Sequence, residues 1–337
     1  MKNKYFYAAL ITLLLHNHIL FAQTSGYHLQ NTFHVKSNGG WDYIVADPAS
    51  NKLFVSHGTQ VNVLDKNTGD SIGVIPNTTG VHGIAFVHDL NKGYTSNGRI
   101  NNVTVFDLNT LKVLTQIATG ENPDAIFYDD YSKKIITCNG RSKDLSVIDP
   151  STDKVVATIP LSGKPETAVS DGAGKIFVNN EDESEIAVVD IRNYKVIDNW
   201  SIAPGESPSG LAIDRNTKRL FAGCDNKLMI VIDATNGKVV EKIPIGDGCD
   251  GTAFDPQLKF VYASCGEGLL TVAQEISPNE FKVVENISTK RGARTLSVDA
   301  STNNVYLPTA DLQPAASQNQ RRSMIPGTFE VLVFSRK

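Results

Sequence analysis

The chain has 337 residues, 41% of them apolar and 20% charged, with 26 glycines and a formal net charge of −4. That composition excludes a disordered or fibrous protein, and the lack of a basic run or stripe argues against nucleic-acid recognition, which needs clustered Lys and Arg to displace counterions from phosphates. Four cysteines are too few for a disulfide scaffold.

The first 22 residues read as a secretory signal: Lys2 and Lys4 precede an apolar run over 5–15, and Leu20-Phe21-Ala22 places a small residue before cleavage. His16-Asn17-His18 leaves that run too short to span a bilayer, which takes about 20 apolar residues. No cysteine stands at the cleavage site, so the expectation is a soluble exported protein, periplasmic or secreted, with no membrane span in the mature chain 23–337. Removing the signal leaves 30 basic against 36 acidic residues.

A strand-like segment over 27–36 comes first, and a repeat follows. Val-Asn-Val-Leu-Asp65, Val-Thr-Val-Phe-Asp107, Leu-Ser-Val-Ile-Asp149, Ile-Ala-Val-Val-Asp190 and Met-Ile-Val-Ile-Asp233 recur at spacings of 42, 42, 41 and 43. Weaker copies end at Gln274 and Ser335, the last delayed by an insertion over 311–326. Each copy holds four short strands punctuated by turn residues, the signature of propeller blades. No segment sustains a 3.6-residue apolar period, which excludes a helical solenoid. The sequence therefore predicts an all-β, single-domain seven-bladed propeller of four-stranded blades. Its last copy stops at Lys337 one strand short, so the segment at 27–36 should pair with 330–334 and close the ring.

The phrases Lys-Leu-Phe-Val-Ser (52–56), Lys-Ile-Phe-Val-Asn-Asn (175–180) and Lys-Val-Val-Ala-Thr-Ile-Pro (154–160) recur through the repeats, and Gly-Glu-Asn-Pro-Asp (120–124) and Gly-Glu-Ser-Pro-Ser (205–209) open blades. The mature chain thereby resembles the YVTN-repeat β-propellers, the YncE-like family. The resemblance implies an exported protein, with propeller relatives that include lactonases, lyases and subunits of redox enzymes. The degenerate sixth and seventh copies and the insertion depart from the family pattern.

In a propeller the innermost strands line a central channel. Aligning the blades places Asp42, His82, Asp124, Glu166, Ser209, Asp250 and Arg294 at the mouth of the first strands. At the ends of the second strands stand His57, Asn97, Asn139, Asn180, Cys224, Cys265 and Thr309. The expected neighbours are Asp42 with His57, His82 with Asn97, Asp124 with Asn139 and Glu166 with Asn180. Arg99 and Arg141 follow in Asn-Gly-Arg turns, Glu181-Asp182 lies beside them, and Trp41 offers an apolar face. On the opposite face, Asp65, Asp107, Asp149, Asp190 and Asp233 are read as turn residues without a chemical role.

Three chemistries suit the mouth. His57 and His82 with Asp42, Asp124 or Glu166 could hold one divalent metal, Ca, Mn or Zn. Without metal, His57 or His82 could remove a proton while Arg294 steadies the anion formed. Binding alone would use Arg99, Arg141 and Arg294, together with the mouth residues, on a small polar or anionic ligand. That last reading is the leading expectation, for a monomer. A lactonase-like hydrolase or a lyase is the alternative, and a scaffold for a protein partner the second alternative. Cys224, Cys249 and Cys265 map to this end of blades five and six, so a disulfide using Cys249 is expected, with Cys265 or Cys224 as partner, while Cys138 reads as a buried apolar residue. The insertion, with Pro314, Gln318, Gln320, Arg321 and Arg322, reads equally as a flap over the mouth or as a plain loop.

Overall fold

A computed structural model describes residues 25–314 and 322–337; the expected signal at 1–22 and the middle of the insertion lie outside the described residues. The described chain forms seven four-stranded antiparallel sheets and almost no helix. The third strands, such as Asn102–Asp107, Glu185–Asp190 and Leu228–Asp233, each bury four consecutive central residues. Every blade is sandwiched between two others, so both faces of these strands must be apolar, which explains unbroken runs such as Ile-Ala-Val-Val in place of strict alternation. The fourth strands, such as Lys154–Pro160 and Lys195–Ser201, form the outer rim and alternate or stay exposed.

Among the described residues the core consists of seven apolar clusters rather than one. Phe177, Ile186 and Val188 of blade four, for instance, pack on Leu220, Ile230 and Ile232 of blade five. Turns on the far side are built as the repeat implies: the Asp65 carboxylate accepts the Asn67 and Thr68 amides at 2.8 and 3.1 Å, and Asp107 accepts those of Asn109 and Thr110 at 3.0 and 2.7 Å.

Six blades use four successive strands each, and the seventh combines Ser297–Asp299, Asn304–Thr309 and Glu330–Arg336 with the N-terminal Tyr27–His34. Tyr27 faces Arg336 and His34 faces Glu330, so the two ends of the chain share one sheet and the ring closes as the truncated last copy requires. The insertion interrupts blade seven after Thr309. Its described ends fold back on each other, with Leu312 bridging Met324 and both packing on the core between blades seven and one.

Candidate functional site

The first strand of each of blades one to six starts at the channel mouth and carries a bulge. In blades one to four the register shifts between Trp41 and Ile44, Val81 and Ile84, Pro123 and Ile126, and Pro165 and Ala168. Ahead of the bulge the residues opposite each other are Trp41 and His57, Val81 and Asn97, Pro123 and Asn139, Pro165 and Asn180. The pairing therefore lies one residue earlier than the expected Asp42–His57 set. Since side chains alternate between faces along a strand, a one-residue offset sends the two sets in opposite directions.

The consequence divides the site residues. His57, Asn97, Asn139 and Asn180 are fully buried within their blades rather than presented to the mouth. Asn139 donates to Asp144 and Ser146 at 2.6 and 2.9 Å, Asn180 to Glu185 and Ser162 at 2.9 and 3.0 Å, and the Asn97 amide sits 2.8 Å from both Asn102 and Thr104. The bonds to Asn102, Thr104, Asp144, Ser146 and Glu185 tie the second strand to the third, and that to Ser162 ties Asn180 to the turn ahead of blade four. His57 lies 2.7 Å through Nε2 from the Gly39 carbonyl, bonds Ser37 through Nδ1, and stacks on Phe329 with centroids 3.9 Å apart. It belongs to the ring closure, not to the mouth, and drops out of the metal and acid–base sets.

The other set converges. Ser209 donates to Asp250 Oδ1 at 2.6 Å, and Arg294 bonds Asp250 Oδ2 through Nε and lies 3.3 Å from Asp42 Oδ1 through a terminal nitrogen. Asp42 Oδ2 lies 2.5 Å from His82 Nδ1, which is 3.7 Å from Asp124 Oδ1. Six residues from six blades thus form one chain of polar contacts across the mouth. Glu166 completes the ring, held by Lys164, which also pairs with Glu181.

Charge is tightly balanced here. Burial alone would lower the His82 pKa, but the Asp124 and Asp42 carboxylates outweigh it and raise it to about 9, so the imidazolium is the form at neutral pH. Asp124 is raised, by burial first and then by the Asp42 and Asp250 charges, despite the opposing pull of His82. Glu166 is raised by burial and by Asp124. Protons therefore reside on this cluster near neutral pH, which is the condition for acid–base work and equally for displacement by a bound cation.

A cavity of about 920 Å³ opens beside the ring, over blades seven, one and two. Asp42, His82 and Arg294 reach it from below, Trp41 and the Asn38-Gly39-Gly40 turn form one wall, and Arg99, Arg291 and Arg322 stand around it. Trp41 is fixed by an Nε1 hydrogen bond to the Gly292 carbonyl at 3.3 Å and by Phe329 at 5.7 Å between centroids. Among the described residues Arg99, Arg291 and Arg322 have no carboxylate partner and are exposed, unlike the ring cation Arg294. Leu312, Ser323, Met324 and Pro326 also line the cavity, so the described ends of the insertion form its far wall, whereas Gln318, Gln320 and Arg321 lie outside the described residues. Arg141 is exposed outside this cavity.

Lys164, Arg291 and Met324 belong to the site without standing at an aligned ring position. Lys164 precedes Pro165 at the opening of blade four, and Arg291 sits in a turn of the degenerate seventh copy, so the only sequence signal for either is a lone basic residue near a blade opening. The four cysteines are free thiols and all are buried, so the disulfide expected at Cys249 is not formed in this structure.

No family model matches the chain, and no curated protein matches it. Among solved structures it is similar to a chain of the Kuenenia stuttgartiensis hydrazine synthase, with a TM-score of 0.71 and 18% identity over 83% of this chain and 95% of that one. At that identity the likeness extends to the fold alone: the chain is a seven-bladed β-propeller.

Proposed function

We propose that the protein binds a small anionic molecule, of the size and polarity of a sugar acid, at the channel mouth between blades seven, one and two. The observation that carries this reading is the set of three arginines, Arg99, Arg291 and Arg322, that surround one cavity and, among the described residues, form no ion pair. A cavity of about 920 Å³ suits a small molecule. Guanidinium groups without protein partners are the donors for planar, bidentate capture of carboxylates or phosphates. Trp41 adds an apolar wall, and the rigid Asp42–Arg294–Asp250 chain supplies polar groups that orient a ligand from below. The resemblance to exported YncE-like propellers supports placing this binding outside the cytoplasm.

Calorimetric titration with D-glucuronate is expected to give one site per chain, with affinity falling as salt is added. Arg99→Ala and Arg291→Ala should each weaken it about tenfold, equivalent to about 1.4 kcal/mol. Equal binding of the neutral glucono-lactone, or indifference to both substitutions, would sink the reading.

One observation favours a second reading. Ligand atoms of Asp42, His82 and Asp124 lie within 4.8 Å of one another, a nitrogen–oxygen set suited to Mn or Zn. A divalent ion held there would polarise a carbonyl of a ligand in the cavity, as a lactonase-like hydrolase needs. Manganese titration of chelator-treated protein should then show one site weakened at least tenfold by His82→Gln; a flat titration removes this reading and leaves anion binding untouched.

A further inference from the structure

We propose that Cys249 and Cys265 are a modification site, closing a disulfide between the first and second strands of blade six when the chain folds in the presence of a disulfide oxidant. The two residues are direct partners in the antiparallel register of Cys249–Asp255 with Phe260–Cys265. Directly opposed residues in such a ladder have Cα atoms about 4.5 or 5.5 Å apart, inside the window of about 4.4–6.8 Å that a disulfide spans. No backbone movement is needed to bring the sulfurs together.

Side-chain direction agrees with the register. Both cysteines belong to the apolar cluster between blades five and six, whereas Cys224 belongs to the cluster between blades four and five and faces Pro208 across its own ladder. Cys138 lies in the cluster between blades three and four. Of the four thiols, only this pair shares a cluster and a rung. The Cys249 thiol is pushed above its usual range, first by its neighbour Cys265 and then by burial. Glycines leave the space: a Cβ at Gly223 would come 2.5 Å from Cys249 Sγ, and one at Gly246 would come 2.9 Å from Cys265 Cβ.

Both thiols are fully buried in the folded blade, and a buried, neutral thiol is a poor nucleophile. The bond therefore forms while blade six is still open. One thiolate attacks a sulfur of the oxidant, a protein or small-molecule disulfide, and releases one thiol; the second thiolate attacks the mixed disulfide and releases the other. Two S–H bonds and the oxidant's S–S bond break, one S–S bond forms here, and the oxidant leaves as two thiols carrying both protons and both electrons.

The link bears on the mouth because Cys249 precedes Asp250, whose carboxylate takes the Ser209 hydroxyl and the Arg294 guanidinium. A covalent rung beside Asp250 fixes the base from which Arg294 is aimed across the ring.

The test is a thiol count on the full chain, reduced, denatured and refolded in glutathione disulfide, then denatured again without reductant. Two free thiols are expected, with a peptide pair joining Cys249 to Cys265 that gains two hydrogens on reduction. Cys249→Ser/Cys265→Ser should also give two thiols and melt several degrees below the oxidised protein, at the temperature of the reduced one. If the reduced chain fails to refold, the same count on protein exported into a bacterial periplasm behind a heterologous leader decides the matter. Four free thiols, or a link through Cys224 or Cys138, overturns the proposal.

Discussion

A chain lacking residues 1–38 should melt about 10 °C below the full chain, by calorimetry or circular dichroism. The strand Tyr27–His34 is the fourth strand of blade seven, so its removal deletes a whole edge of that sheet. It also reaches both neighbouring blades. Tyr27 packs edge-on against Tyr262 of blade six, with the two hydroxyls 2.9 Å apart. Phe33 lies over the backbone of Gly69 in blade one, where a Cβ would come 2.3 Å from its ring. Tyr27, Phe33 and Val35 are buried, and exposing three such side chains costs about 5–9 kcal/mol. Whole-domain stability is only about 5–15 kcal/mol, and at about 2.1 cal/mol/K of unfolding entropy per residue each kcal/mol shifts the melt of a chain this long by about 1.5 °C. An unchanged melt would mean that the seven blades hold together without the terminal strand.

The repeat makes this closure legible in the sequence, because the last copy holds three strands and the segment at 27–36 has the character of the fourth. The mouth ring was legible for a different reason. Aligning blades cancels the turn residues that recur and leaves Asp42, His82, Asp124, Glu166, Ser209, Asp250 and Arg294, which differ from blade to blade, and the structure joins six of them in one polar chain. The second ring could not be placed from sequence, since its direction depends on register. The bulge that follows residue 41, 81, 123 or 165 sets that register, and nothing in the composition of those positions announces it. The recurring Asn97, Asn139 and Asn180 carried the opposite message: a polar residue repeated at one position is doing the same structural job in each blade, here binding the residue that opens the third strand. Arg291 and Arg322 lie in the degenerate seventh copy and its insertion, where alignment has no partner to offer.

His57 occupies that same repeating position in blade one, and acidification from pH 7 to 4 should destabilise the protein through it by about 3 kcal/mol. Burial pushes its pKa down to about 4, against the opposing pull of the Gly39 carbonyl, whereas an unfolded histidine titrates near 6.5. The neutral ring satisfies its contacts: Nε2–H donates to Gly39 at 2.7 Å, and Nδ1 bonds Ser37 Oγ, which also accepts from Asn62 Nδ2 at 2.9 Å. Between pH 6.5 and 4 the unfolded chain takes up a proton that the folded chain refuses, so stability falls as pH falls through that window, by about 1.4 kcal/mol per unit. His57→Asn restores the residue used in blades two to four and cannot be protonated, so urea unfolding of the variant at pH 7 and pH 4 should lack this share of the loss. Superimposable acid limbs for the two proteins would show that His57 is charged or solvated in the folded state. The latch bears on binding as well as on stability: the turn it holds, Asn38-Gly39-Gly40, is a wall of the cavity that Arg99, Arg291 and Arg322 surround, so a proton on His57 loosens the ring closure and the ligand wall together.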